Sequence, residues 1–174
     1  FEIALGYDIV DTEDWHWDAS INAAYNKNEI TSLQGEYNAG TIRGQGLTNA
    51  FAQKLQEGQP LFSFFLREFE GFDENGQPIQ EDVQKFVDAS ALPVWTGGFN
   101  TNVSYKNWTM SAFLTGQFGH YIYNNTTNAF FTAGAFNSAR NVLNETLVGV
   151  GEPFGESLVA AAEVSTRFLE KADF

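Results

Sequence analysis

The side chains able to do chemistry in this chain are few. Its 174 residues include no cysteine and two histidines, His16 and His120. A zinc or iron–sulfur site built on cysteine is therefore excluded. His16 lies between Trp15 and Trp17 with Asp14 and Asp18 close by. One imidazole among carboxylates reads as a polar residue on a strand face sooner than as a metal ligand. Asp73-Glu74-Asn75-Gly76 resembles half a calcium loop. The later oxygen ligands such a loop needs are missing, and Asn-Gly is a turn dipeptide in its own right, so calcium is unsupported and no cofactor is expected. No GxSxG, HExxH or Walker pattern occurs, and no motif places a carboxylate pair for glycoside hydrolysis. The Asn-x-Ser/Thr strings at Asn102, Asn107, Asn125 and Asn144 read as chance. Binding, not catalysis, is the chemistry left, and no enzyme is expected.

Aromatic rings are the abundant binding resource: 17 Phe, 6 Tyr and 4 Trp. A flat exposed ring stacks on sugar faces or meets peptide side chains. Tyr37, Phe86, Phe130, Phe131 and Phe136 fall in long polar stretches, which makes them candidates for contact with a substrate or a partner protein. Packing of the loops on one another would use the same rings. The net charge of −13 and pI near 4.3 repel phosphate backbones, so no nucleic acid is expected as a partner. Hydrophobic residues at 43% and charged residues at 18% exclude a disordered chain. No apolar run reaches the roughly 20 residues of a membrane helix, but strands hide apolarity in alternation, so membrane barrels remain.

Those rings and acids must be positioned by strands. From Phe1 to Tyr25 the odd positions are mostly apolar and the even ones mostly polar or small, which is a strand period. With a turn at Asp11-Thr12-Glu13-Asp14, Ile9 is expected opposite Trp15, Tyr7 opposite Trp17, Leu5 opposite Ala19 and Ile3 opposite Ile21, with Asp8 facing His16 and Glu2 facing Asn22 on the polar side. A two-residue turn at Lys106-Asn107 predicts a second hairpin: Tyr105 opposite Trp108, Val103 opposite Met110, Thr101 opposite Ala112, Phe99 opposite Leu114. Asn102 then faces Ser111, and Phe113 is an aromatic on the polar face. A turn at Glu57-Gly58-Gln59-Pro60 predicts a third, with Phe51, Gln53 and Leu55 opposite Leu66, Phe64 and Phe62. There Phe65 and Phe69 are expected on the polar side with Ser63 and Arg67.

Between the hairpins lie long polar stretches, about Glu29 to Gly46, Asp73 to Pro93 and Asn124 to Ser165, read as loops. Short turns alternating with long loops suit an outer-membrane barrel, where one end has tight turns and the other long connections. Tyr7, Trp15, Trp17, Tyr105 and Trp108 near the tight turns suit an interfacial girdle. A soluble β-sandwich explains the alternation equally well, but not the loop asymmetry together with the girdle. Gly97-Gly98 reads either as close approach of backbone to a ligand or as a bend where a strand leaves a loop. Strand periodicity running to both ends suggests a piece of a longer protein.

Several strings resemble the SusC/RagA family of TonB-dependent outer-membrane transporters. They are Glu57-Gly58-Gln59-Pro60-Leu61-Phe62-Ser63-Phe64-Phe65, then Phe69-Glu70-Gly71-Phe72-Asp73, then Leu92-Pro93-Val94-Trp95-Thr96-Gly97-Gly98-Phe99-Asn100 with Tyr105-Lys106-Asn107-Trp108. Gly119 to Asn124, Ser165 to Lys171 and the Trp17 to Leu33 stretch extend the likeness over nearly the whole chain. The resemblance implies an all-β fold, an antiparallel transmembrane β-barrel segment of about six strands out of a 22-stranded barrel. It implies that residues 1–174 are part of a single TonB-dependent receptor barrel domain with the plug absent. The implied function is import of an oligosaccharide, peptide or similar nutrient through the outer membrane of a Gram-negative bacterium. Implied partners are a SusD-like surface lipoprotein, TonB–ExbB–ExbD acting through the missing plug, and outer-membrane lipid. The odd face of the first hairpin is then expected toward lipid, and His16, Asp18, Asn22, Asn100 and Asn102 toward the lumen. Lys106-Asn107 and Glu57 to Pro60 are expected as periplasmic turns. The alternative from another class is a soluble carbohydrate-binding β-sandwich.

Overall fold

The computed structural model describes residues 1–43, 47, 49–73, 78–130 and 164–174. Along the chain run β1 (Glu2–Asp11), β2 (Trp15–Tyr25), β3 (Tyr37–Thr41), β4 (Phe51–Leu55), β5 (Ser63–Leu66), β6 (Phe69–Phe72), β7 (Pro78–Gln80), β8 (Lys85–Ser90), β9 (Trp95–Tyr105), β10 (Trp108–Phe118), β11 (Tyr121–Tyr123), a short helix α1 (Asn125–Phe130), a 3-10 turn (Thr166–Phe168) and β12 (Leu169–Lys171). The fold is all-β, and the pairings with a defined register inside its sheets are antiparallel. The chain divides into two compact units. One holds Phe1–Asn28, Leu92–Tyr121 and Lys171–Phe174; the other holds Glu29–Ala91 and Ile122–Glu170.

The first unit is a four-stranded sheet in the order β1-β2-β9-β10. Its registers align residues in rows across all four strands. Leu5, Ile21, Phe99 and Leu114 form one row, and Gly6, Ser20, Asn100 and Phe113 form the next. Because side chains alternate across a strand, successive rows point to opposite faces. One face is thus apolar and the other is mostly small or polar. The apolar face is bare: Leu5 is 61% exposed, Met110 64% and Leu114 64%. A sandwich would bury that face beneath a second sheet.

The Lys106-Asn107 hairpin has the register expected from its two-residue turn, Tyr105 opposite Trp108 through Phe99 opposite Leu114. The first hairpin does not. Leu5 pairs with Ile21, Tyr7 with Ala19 and Ile3 with Ala23, a slip of two residues from the expected pairing. The tighter turn shifts the pairing by three residues, and the bulge takes one back. A β-bulge between Asp8 and Val10 inserts Ile9 as an extra residue. Asp11 also stays in the strand opposite His16, so the turn tightens to Thr12–Asp14, closed by Thr12 N to Trp15 O at 2.7 Å and by Trp15 N to Thr12 Oγ1 at 3.1 Å. Asp8 therefore faces Asp18, not His16, and Glu2 faces Ala24, not Asn22. Up to Asp8 the slip is two, which keeps those side chains on their expected faces, whereas beyond the bulge Val10 joins Trp17 on the apolar face.

Both tight turns sit at one end of the sheet, joined by Lys106 N donating to Asp14 O at 2.9 Å. Aromatics bracket the apolar face at both ends. Trp15 packs on Tyr105 with ring centroids 4.5 Å apart, beside Trp108, and Tyr25 packs on Trp95 at 4.8 Å. Those two pairs are separated by ten residues of β2, about 34 Å of extended chain. At a strand tilt of about 40° the spacing projects to about 26 Å, the height of the apolar band of a membrane barrel.

The second unit lies in sequence mainly between β2 and β9. Its main sheet has the order β3-β4-β5-β8, and β6 pairs with β7. The stretches read as long loops from Glu29 and from Asp73 therefore contain strands: β3 in one, β7 and β8 in the other. Gln53 pairs with Phe64 and Lys54 with Ser63, the register expected for the third hairpin. Phe62 leaves the strand at φ 57°, and Phe51 pairs instead with Thr41 of β3. The expected polar side is overturned as well. Ser63 is buried, and Phe65 packs edge-on to Phe86 at 4.9 Å with Lys54 Nζ 4.3 Å from its ring. Among the described residues the buried apolar core is Ile42, Leu47, Ala52, Phe64, Leu66 and Phe168, all in this unit. The four-stranded sheet contributes nothing to it.

An arginine at the centre of the bare apolar face tests the assignment of faces. In the full-length protein, Leu114→Arg should destabilise the inserted state by about 2–4 kcal/mol, whereas Asn100→Arg in the adjacent row on the other face should cost far less. Heat-modifiable mobility of the outer-membrane fraction and the urea midpoint report this. Equal losses at both positions would overturn the assignment.

Candidate functional site

The polar face of the four-stranded sheet gathers the residues expected there. His16, Asp18, Asn22, Asn100 and Asn102 all lie on it, in successive rows. Near the tight turns they form a connected strip. His16 Nδ1 is 3.3 Å from Asp11 Oδ1, and its Nε2 is 3.6 Å from Asp18 Oδ1. Asn102 Nδ2 donates to Asp18 Oδ2 at 2.9 Å, which fixes that carboxylate from the next strand. Asp8 stands directly opposite Asp18 on the same face. Like charges directly opposite are destabilising, so β1 and β2 hold two carboxylates together against their repulsion.

Asn22 is served by Gly98. The two are direct cross-strand partners, and a Cβ at Gly98 would lie 3.1 Å from Asn22 Nδ2. The Gly97-Gly98 pair is thus inside a paired strand rather than at a bend, and its missing side chains make room for the Asn22 amide. On the opposite face Thr101 looks out of place among apolar neighbours. Its hydroxyl accepts from Trp17 Nε1 at 3.0 Å and donates to Asp18 O at 2.9 Å, so it is satisfied locally.

The aromatic candidates are placed differently. Tyr37 begins β3 and is 53% exposed. Phe86 is in β8, half-buried against Phe65, so it is a packed ring and not a loop tip. Phe130 ends α1, a helix capped by Asn124 Oδ1 accepting from Thr127 N at 2.9 Å. Phe131 and Phe136 lie outside the described residues, as do Glu74 to Gln77 of the calcium-like turn. Among the described residues no group of three or more His, Asp or Glu is arranged to hold a metal ion.

Sequence reasoning missed Asp11, which it assigned to the turn, and the Asp8–Asp18 confrontation. The tighter turn keeps Asp11 in the strand, and turn and bulge together set Asp8 opposite Asp18. Elsewhere, Lys85 of β8 is held between Glu68 and Glu81, the latter at 2.9 Å. Hydrogen bonds to Glu68 and then Glu81 raise the ammonium above its usual value. That tie is fully formed below about pH 10.5 and is lost as pH rises through the raised value.

A sheet with one lipid-sized apolar face, aromatic girdles at both ends, a polar opposite face and both tight turns at one end defines a class: a segment of an antiparallel transmembrane β-barrel. The chain is 26% identical over 163 residues to the TonB-dependent receptor SusC of Bacteroides thetaiotaomicron, covering 79% of this chain and 16% of that protein. It superposes on the RagAB peptide transporter with a TM-score of 0.75 at 23% identity, covering 99% of this chain and 21% of the other. The 'closed-closed' and 'open-open' states of the RagAB peptide importer give 0.69 and 0.67. No protein-family model matches the chain. The resemblance to SusC/RagA transporters seen in the sequence is borne out, and the chain spans about a fifth or less of the length of these relatives.

The facing carboxylates give a direct test of the polar strip. Asp8→Asn should stabilise the folded full-length protein by about 0.2–1 kcal/mol at low ionic strength, with the gain shrinking as salt screens the pair. Asp18→Asn should gain less, because it also weakens the tie to His16. Urea midpoints at low and high salt check both. A loss of stability in Asp8→Asn would show that Asp8 is held by an attraction.

Proposed function

We propose that the chain is a wall segment of a TonB-dependent transporter that imports a nutrient, an oligosaccharide, peptide or similar molecule, through the outer membrane of a Gram-negative bacterium. The observation that carries this reading is the sheet's two-sidedness: a bare apolar face of membrane height, which we assign to lipid, and the opposite face with His16, Asp18, Asn22, Asn100 and Asn102, which we assign to a water-filled lumen. Backbone groups in lipid must all be paired, which a closed barrel achieves and an open sheet does not, so the segment functions inside a larger barrel. The work is transport, not catalysis. Energy comes from TonB–ExbB–ExbD through a plug that residues 1–174 do not supply, and a SusD-like lipoprotein covers the outer mouth. The likeness to the TonB-dependent receptor SusC and to the RagAB peptide transporter supports the transport reading.

The topology follows from connectivity. The tight turns Thr12–Asp14 and Lys106–Asn107 face the periplasm. The chain from Asn26 to Val94 leaves β2 and returns to β9 at the opposite end, marked by Tyr25 opposite Trp95, and so emerges outside the cell. Glu57 to Pro60 belongs to this excursion, where Gly58 N donates to Ile30 O at 2.8 Å and Ile30 N to Gln59 O at 2.9 Å. It is assigned here to the outer side, in place of the periplasmic turn expected from sequence. The carbohydrate-binding sandwich is not favoured, because its second sheet would have to cover Leu5, Met110 and Leu114.

An epitope inserted after Gly35 in the full-length protein should be detected on intact cells, since nothing lies within 4 Å of where a Cβ would stand there. One inserted after Lys106 should be detected only after the outer membrane is permeabilised. Growth on the transported nutrient should require both this protein and TonB. Detection of the Lys106 epitope on intact cells would invert the topology, and TonB-independent growth would remove the transport mechanism.

A further inference from the structure

The tight-turn end of the sheet carries a charge that the rest of it lacks. Lys106 is the only lysine or arginine in β1, β2, β9, β10 and the two tight turns that join them. Among the described residues it makes no ion pair. Its ammonium lies 5.2 Å from the centre of the Tyr105 ring, within cation–π reach. Tyr105 stands on the apolar face between Trp15 of β2 and Trp108 of β10, which are 45% and 80% exposed. Trp17 Nε1 donates to Thr101, whereas no acceptor among the described residues meets the indole N–H of Trp15 or Trp108. An ammonium and two indoles are donors only. A group that satisfies them must be rich in acceptors and negative. Beside them lies the opposite charge: Glu13 and Asp14, both exposed, in the neighbouring turn, where Asp14 O accepts from Lys106 N.

We propose that this cluster is a binding site for the headgroup of a zwitterionic phospholipid, a phosphate followed by an ammonium. The inference rests on the membrane reading above. The phosphate oxygens accept from Lys106 Nζ and from the indoles of Trp15 and Trp108. The lipid ammonium, one link further out, meets the carboxylates of Glu13 and Asp14. The acyl chains run along the apolar rows that start at the same rings, first the row of Val10, Trp17, Val103 and Met110. Two features select a lipid over a free phosphate. The site opens on the bare apolar face, which gives a soluble anion no enclosure, and it is continuous with the surface assigned to lipid. Rings with one apolar body and one polar edge suit the headgroup level of a bilayer. A phospholipid without the ammonium is disfavoured, because the two turn carboxylates outnumber the one lysine.

The test uses the full-length protein in detergent, titrated separately with dioleoyl phosphatidylethanolamine, dioleoyl phosphatidylglycerol and glycerophosphoethanolamine, with bound molecules counted by native mass spectrometry. Wild type should hold its first phosphatidylethanolamine about fivefold or more tightly than phosphatidylglycerol, and should hold no glycerophosphoethanolamine. Lys106→Asn should weaken phosphatidylethanolamine binding by about fivefold or more. Asparagine accepts the left-handed φ of 52° at this position, so the turn is kept. Trp108→Phe keeps a ring, removes the N–H and should also weaken binding. Glu13→Gln with Asp14→Asn should abolish the preference over phosphatidylglycerol. Heat-modifiable mobility checks that each variant is folded. Equal retention of the two lipids by wild type would overturn the proposal, as would wild-type binding in Lys106→Asn and Trp108→Phe or a preference that survives the loss of both carboxylates. Glycerophosphoethanolamine held as tightly as the lipid would also overturn it, by making this a site for a free phosphate. If the protein enters bilayers of neither lipid, the membrane reading itself fails, an outcome distinct from insertion that ignores the headgroup.

Discussion

Everything in the first unit depends on one requirement: in lipid, every backbone N–H and C=O must find a partner within the protein. Strands meet it only by pairing on both sides, and β2 and β9 do so along their whole length, eleven residues against eleven. Such strands have two faces, and one of them must be apolar without a core to bury it. That is why Leu5, Ile21, Phe99 and Leu114 stand exposed in a row, and why no residue of the sheet belongs to the buried apolar core. In a water-soluble fold, the same row would be a site of aggregation. Here the solvent is the bilayer.

The same requirement explains which parts were legible in the sequence. Period two is imposed by the two solvents, so the face of each residue in β1, β2, β9 and β10 could be read directly. The register of β9 with β10 was also legible, because a two-residue turn leaves one way to pair Tyr105 with Trp108. The register of β1 with β2 was not, because the turn is tighter than the polar run Asp11–Asp14 suggests and Ile9, which bulges, looks like any other apolar residue in the alternation. The net error over Glu2–Asp8 was two residues, so His16, Asp18 and Asn22 keep the polar face while the neighbours assigned to them change.

The second unit was less legible because its strands are short. Tyr37–Thr41, Pro78–Gln80 and Lys85–Ser90 have three to six residues each, too few for alternation to stand out from a polar background. Their order in the sheet, β3-β4-β5-β8, comes from contacts far apart in sequence. Ser63 illustrates the difficulty. By residue type it belongs outside, yet it is buried with its hydroxyl donated to Pro60 O. A polar residue that supplies its own hydrogen bond can enter a core, and a single sequence does not reveal which serine will do so.

The two units therefore obey different rules although one chain threads both. The sheet is held by continuous ladders and carries its polar and small residues on one face. The excursion is held by a small water-excluded core, and that core is closed from a distance. Arg67 N donates to Val164 O, Thr166 N to Arg67 O and Phe69 N to Thr166 Oγ1, and Phe168 is a fully buried ring edge-on to Tyr123 at 6.2 Å. Ser165 completes the joint by accepting from Arg167 N at 3.2 Å, turning the chain into the 3-10 turn that aims Phe168 inward. Phe168 is thus core for residues that precede it by most of the chain. The stretch from Ser165 to Lys171 does two jobs at once: Phe168 is buried in the core, and Leu169 begins the strand that follows.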